Sequence, residues 1–201
     1  VGAMSHILNK PTLSEKKDVV IEGHALMQPR VGIDLEISQK NLFTKIFAGS
    51  GGTDAYTNAI SDFYQDNFGE GIFTGKGIYD LAIFSQVLKE EIPENTVLSH
   101  DLLEGSYLRC GLVSDIMLLD GYPYSYQSFK NRLHRWIRGD VQIIRWLKQN
   151  ILNAKENKKK NPLNLLSKYK IFDNLIREIY PFLSLFIIIY LFVLKFAFCF
   201  K

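Results

Sequence analysis

Residues 181–200 read PFLSLFIIIYLFVLKFAFCF and carry one charge, Lys195. A helix needs about 20 consecutive apolar residues to cross the ~30 Å hydrocarbon layer of a bilayer. A core helix of a water-soluble domain keeps a polar stripe, and this run has none. The segment therefore reads as a transmembrane helix, with Lys195 near its end placed to snorkel to the interface. Whatever precedes it has to fold beside a membrane, and the chain's stop at Lys201 reads as the edge of a longer polypeptide.

Upstream of the span, residues 163–180 place Leu165, Leu166, Tyr169, Phe172, Leu175, Ile176 and Ile179 at helical spacing. Lys168, Asp173, Arg177 and Glu178 fall opposite. Such a helix either packs on a domain or lies in the membrane interface, and its position beside the span predicts an amphipathic interfacial helix. Residues 151–162 include NAKENKKKN and predict a solvated basic linker. Lysines flanking a span stay on the cytoplasmic side, which places the preceding domain in the cytoplasm.

That domain, residues 1–150, alternates strand-like and helix-like runs, so the fold class is α/β. DVVIEGHALMQPRVGIDL predicts one or two strands, and the residues around the Gly-Ser-Gly-Gly at 49–52 predict helices. GIFTGKGIYDLAIFSQVL predicts a short strand, a glycine turn and a helix from Asp80. SHDLLEGSYLRCGL predicts a helix capped by Ser99 and stopped by Gly111, and SDIMLLDGYP a strand and turn. QSFKNRLHRWIRGDVQIIRWLKQN predicts a long helix. The net charge of +3 gives no bulk field for nucleic acid. Two cysteines supply neither a disulfide framework nor a zinc spacing.

Three features could carry chemistry. Asp101 falls in the first turn of its helix, where the N-terminus favours a carboxylate; it is either a stabilising first-turn acid or a general base at a cleft. Glu104, one turn on, would be a second acid or an orienting group. In FTGKGIYD, Gly75 and Gly77 flank Lys76 and permit close approach of backbone to a ligand, although neither a Walker loop nor a dinucleotide fingerprint is present. In RLHRWIRGDVQIIRW, Arg132, Arg135, Arg138 and Arg145 map near one helical face and Leu133, Trp136, Ile137, Ile144 and Leu147 near the other. The arginines are either a solvated basic stripe or forks for a diphosphate, with Trp136 offering a flat face to a sugar ring. His100 and His134 read as hydrogen-bonding neighbours, since no third ligand stands at a metal spacing.

Taken together, a glycine loop, a His-Asp helix start, an Arg-x-x-Arg-Trp helix and a membrane span follow the order of processive membrane glycosyltransferases. The runs ALMQPRV, FYQDNFGEGIFTGKGIYD, PENTVLSHDLLEG and HRWIRGDVQ resemble the glycosyltransferase domain of cyclic β-1,2-glucan synthases across almost all of residues 1–180. Arg132 stands where related synthases have Gln, and Val141 where this family favours Trp after Arg-Gly-Asp. The resemblance implies the C-terminal half of a GT-A (nucleotide-diphospho-sugar transferase) domain in a bacterial inner membrane. Its partners would be UDP-glucose, a β-glucan acceptor and membrane lipid, and no nucleic acid. Asp101 would be the base. His100, Glu104, Gly75, Lys76, Gly77, Arg132, Arg135, Trp136 and Arg138 would contact substrate, with Gln28 and Arg30 at the cleft edge. The Mg²⁺ or Mn²⁺ of such enzymes is held by an Asp-x-Asp strand, and no Asp-x-Asp occurs here. The donor-binding half is thus expected outside this chain, leaving the fragment inactive alone. Two other readings stay open. One is a different processive synthase, cellulose- or hyaluronan-like. The other is a non-enzymatic, membrane-anchored module for phosphate or anionic lipid.

Overall fold

The computed structural model describes residues 2–48, 62–98 and 100–199. The chain runs through α1 (Gly2–Ser5), β1 (Thr12–Leu13), β2 (Val20–Glu22), β3 (Leu26–Ile33), α2 (Leu35–Ser38), α3 (Leu42–Phe47) and α4 (Phe63–Phe68). There follow β4 (Ile78–Tyr79), α5 (Leu81–Leu88), α6 (Asp101–Leu108), β5 (Cys110–Asp120), α7 (Tyr126–Gln142), β6 (Asn150–Leu152), β7 (Lys158–Lys160) and α8 (Leu165–Cys199). The α/β reading holds. The Gly-Ser-Gly-Gly turn and Ser99 lie outside the described residues.

The central sheet has the order β4-β3-β5. β3 and β5 are parallel, from Leu26 opposite Cys110 to Ile33 opposite Asp120, and β4 pairs antiparallel with the start of β3. β3 runs across the Pro-Arg pair. Proline offers no N–H to the ladder, and the register slips between Pro29 and Arg30, with three extra β5 residues, Ser114–Ile116, taken up opposite. β3 is the middle strand, and Leu26, Met27, Gln28 and Val31 are all buried.

The core gathers Leu26, Phe73, Leu103, Tyr107, Leu108, Ile143, Trp146 and Ile171. Trp146 is fully buried and donates its indole N–H to Tyr107 Oη at 3.2 Å. α7 ends at Gln142 and the chain tightens into a 3₁₀ turn over Ile143–Leu147. That change of pitch rotates the apolar face. Ile143 and Trp146 turn inward, while Ile144, expected inside, is 40% exposed.

α6 also differs from expectation at its end. It stops at Leu108, Arg109 takes positive φ (+51°), and Gly111 already belongs to β5. Arg109 is held there by its own guanidinium, which donates to the carbonyls of Ile21, Gly23 and Gly69 at 3.0–3.3 Å.

The stretch expected as a solvated basic linker forms a hairpin, with Lys155, Lys158 and Lys160 exposed on it. β6 and β7 pair antiparallel, and Lys159 reaches back to Glu91 at 2.6 Å. Asn161 is buried and donates to the carbonyls of Trp146 and Lys148. From Leu165 a single helix continues through Pro181 to Cys199, where two helices were expected. Ser167, Lys170, Ile171 and Leu175 face the domain. Tyr169, Phe172, Ile176 and Ile179 point away and stay half-exposed, and every large apolar residue described from Phe182 to Val193 is exposed. The apolar positions of the first turns thus split between two faces, one packed on protein and one continuous with the apolar surface beyond Tyr180. By length and composition this helix is long and apolar enough to cross a membrane.

Candidate active site

Asp101 is the first residue of α6, and His100 precedes it as N-cap without a capping side-chain bond. The glycine loop lies directly against it. A methyl group added at Gly75 would fall 2.9 Å from Asp101 Oδ2, and Gly75 has φ of +100°. Only glycine satisfies both conditions, close approach and left-handed backbone. Gly77 is confined as well, since a Cβ there would meet Met27 O at 2.5 Å. The loop is thus pressed onto β3 at one end and onto Asp101 at the other.

Gln28 is the brace beneath that loop. Its Nε2 donates to Ile72 O at 3.0 Å, and its Oε1 accepts from Thr74 N at 2.7 Å and Thr74 Oγ1 at 3.0 Å. At 1% exposure it is no cleft-edge residue. A glutamine amide matches one carbonyl, one amide and one hydroxyl together, which an apolar side chain at this position could not do. Arg30, two residues on, is half-buried at the register slip.

The loop also reaches toward the arginine-tryptophan helix. Lys76 Nζ forms an ion pair with Asp120 Oδ2 at the end of β5. Burial pushes the Asp120 carboxyl up, but the Lys76 ammonium and the Gly121 amide outweigh that and hold it below the usual carboxylate range. Arg132 adds to this field. Its guanidinium lies over the Trp136 ring at 4.8 Å and the Tyr122 ring at 5.5 Å. Arg132 and Trp136 therefore share one face of α7, one turn apart, where opposite faces were expected. The Arg132 Nε and Nη2 atoms are buried with no hydrogen-bond partner among the described residues. Arg135 and Arg138 remain exposed on α7. Tyr122 is steadied by an aromatic cluster with Phe43 and Phe129 and donates its hydroxyl to Phe47 O.

On the other side of Asp101, Glu104 is buried and takes two hydrogen bonds. His100 Nδ1 stands 2.6 Å from its Oε1, and Tyr79 Oη donates to its Oε2 at 3.0 Å. The Glu104 contact raises the His100 pKa, against a smaller opposing effect of partial burial. Burial and then the Glu104 charge push the Tyr79 phenol upward, so it stays protonated as the donor. Cys110 is no competing nucleophile. Burial pushes its thiol up to about 12, away from the thiolate that reactivity needs.

Hydrogen bonds, close packing and charge interactions therefore link Tyr79, Glu104 and His100, beside Asp101, through Gly75, Lys76 and Asp120 toward Arg132 and Trp136. They join residues more than sixty positions apart in the chain, Gly75 and Trp136. The sequence carrying these contacts has an informative counterpart. Over 182 residues, 90% of this chain, it is 44% identical to the cyclic beta-(1,2)-glucan synthase NdvB of Rhizobium meliloti (strain 1021). The chain matches a segment of a cyclic β-1,2-glucan synthase. It spans 6% of that relative's length. No family model matches the sequence.

Ligand atoms of His100, Asp101 and Glu104 lie within 4.8 Å of one another, which the linear spacing does not suggest. As placed they do not fit a divalent ion. His100 Nδ1 and Glu104 Oε1 are turned to each other at 2.6 Å, and Glu104 Oε2 to the Tyr79 hydroxyl, instead of toward a common ion. Mg²⁺ and Mn²⁺ also favour oxygen ligands over imidazole. Four residues around the site, Tyr79, Asp120, Tyr122 and the bracing Gln28, do not form a unit in the linear sequence. Tyr79 and Asp120 close strands, and a polar side chain at a strand end is the available signal.

Proposed function

We propose that this chain is the acceptor side of an inverting membrane glycosyltransferase with a GT-A-type fold, moving glucose from UDP-glucose onto a growing β-1,2-glucan. The observation that carries the reading is the seating of the glycine loop on Asp101, with Lys76 linking that loop toward Arg132 and Trp136. The likeness to a cyclic β-1,2-glucan synthase supplies the substrate class.

In this reading Asp101 accepts the proton of the attacking glucan hydroxyl. The hydroxyl oxygen forms its bond to the anomeric carbon as the bond from that carbon to the UDP oxygen breaks, and UDP departs with the electron pair. Negative charge grows on the diphosphate, and Arg132 with Arg135 would oppose it. The buried Nε and Nη2 of Arg132, lacking partners among the described residues, are donors suited to that task. Trp136 would stack on a sugar ring, and the Gly75–Gly77 backbone would wall the acceptor channel. The apolar surface of α8 would lie in a bacterial inner membrane, with the domain on the cytoplasmic face.

The test is Asp101→Asn in the full-length synthase. Glucose transfer should fall by roughly 10²–10⁴ with UDP-glucose binding retained, the range for loss of a positioned base. Near-normal glucan synthesis by that variant removes Asp101 from the role.

A further inference from the structure

We propose that Lys170 and Glu70 are positioning residues of the transfer site, tying the loop that abuts Asp101 to the long C-terminal helix. This rests on the reading of Asp101 as the base. Lys170 lies on α8, a hundred residues from Glu70, and is 2% exposed. Its ammonium donates to Glu70 Oε1 at 2.9 Å, Gly71 O at 3.1 Å and Glu70 O at 3.3 Å. Three donors meet three acceptors, so the charge is fully satisfied. The other Glu70 oxygen faces Arg109 Nη1 at 3.4 Å.

From Glu70 to Gly75 the chain has no slack. The Gly71 amide donates to Cys110 O at 2.8 Å. The Ile72 carbonyl and Thr74 are held by Gln28, and Phe73 between them is buried in the core. Gly75 then abuts Asp101. The six residues from Glu70 to Gly75 thus connect a buried ammonium on α8 to the carboxylate of the site, with each intervening segment anchored.

A buried ion pair is a poor source of stability, since its desolvation roughly cancels its attraction. What it supplies is register. A shift of α8 along the domain would leave an ammonium buried without partners, so the helix has one seat. About 11 residues separate Lys170 from Pro181, or roughly 16 Å of helix. The position of the apolar segment is thereby transmitted to the loop.

The experiment uses the full-length synthase in membranes with the variant Glu70→Gln/Lys170→Met, which removes both buried charges at similar volume. It should assemble and show KM for UDP-glucose within a few-fold of wild type. Its kcat should fall by roughly 10–10²-fold, as a misplacement of an ångström or less costs. Hydrogen exchange of amides 71–77 should quicken while that of α6 does not. Unchanged kcat together with unchanged loop exchange in the assembled variant overturns the proposal. If the double variant does not assemble, Glu70→Gln alone, which keeps the acceptor oxygen and the shape, is measured in the same two ways. A fall in kcat with faster loop exchange supports the proposal there, and no change in either overturns it. Failure of the base reading is seen separately, because active Asp101→Asn would leave the loop-exchange result standing.

Discussion

Replacing Gly75 by Ala perturbs the site through a steric contact and through backbone strain. The added methyl would stand 2.9 Å from Asp101 Oδ2, 3.1 Å from Cγ and 3.3 Å from Oδ1. Ordinary carbon–oxygen contact is no closer than about 3.4 Å, so one side must yield by roughly half an ångström. The loop cannot easily be the side that moves, because Gln28 holds Thr74 and Gly77 lies tight against Met27 O. The displacement therefore falls on the Asp101 carboxylate. An alanine at φ of +100° adds about 1–3 kcal/mol of backbone strain. Misplacing a reacting group by an ångström costs about 10²-fold, and half of that roughly tenfold. Gly75→Ala in the full-length synthase should thus lower the transfer rate by about 10–10²-fold, measured as labelled glucose entering glucan, with UDP-glucose binding little changed. In an Asp101→Asn background the same substitution should add almost nothing, since the group it displaces no longer acts. A wild-type rate for Gly75→Ala, or full additivity with Asp101→Asn, would refute the reasoning.

Two further outcomes are expected. Folding raises the His100 pKa above its ordinary value of 6.5 through the Glu104 hydrogen bond. The contact's stabilisation is then complete below about 6.5 and lost as pH rises through the raised value, so His100→Asn should flatten the pH dependence of thermal inactivation in that window; a profile unchanged by the substitution would mean that the contact contributes nothing to stability. Arg132→Lys keeps the charge but loses the flat guanidinium stacked between Tyr122 and Trp136, a contact worth about 0.5–2 kcal/mol. Transfer should fall by roughly 2- to 30-fold, and equal rates for Lys and Arg would mean that charge alone matters there.

Local signals in the sequence carry far. Asp80 caps α5, the β-branched run of residues 19–21 leads into β2 (Val20–Glu22), and the apolar run from Phe182 to Val193 is helical and exposed. Each depends on a few adjacent residues, where backbone preference and periodicity act. Expectation and structure part where a distant partner decides. Apolar spacing alone describes residues 163–180 poorly, because the buried face contains Ser167 and Lys170, and Glu70 offers an ammonium site inside the domain. The lysines of 151–162 suggest solvent, but Glu90, Glu91 and Asp18 supply counter-charges and the stretch folds back as a hairpin. Helical phase fails past Gln142 because a 3₁₀ turn has three residues per turn, and a wheel drawn at 3.6 assigns Ile144 and Trp146 to the wrong sides.

The site shows the same division. Asp101, Gly75 and Trp136 are legible in the sequence because each is an unusual residue in an unusual place: an acid at a helix start, a glycine between strand and helix, an aromatic in a basic helix. The seating of the glycine loop on Asp101 is not legible, because it depends on Gln28. A glutamine in the sequence ALMQPRV has no helical or strand phase that marks it as internal. Its meaning comes from two loop residues more than forty positions later, Ile72 and Thr74, whose backbone groups it satisfies. The central strand buries this amide because leaving those groups unpaired would cost about 1–3 kcal/mol each. That same amide leaves Gly75 no room to retreat from the carboxylate. The polar residue inside the sheet is thus explained by the loop, and the loop's tight glycine by the position of Asp101. Packing in the middle of the molecule and geometry at the site are one constraint seen from two ends.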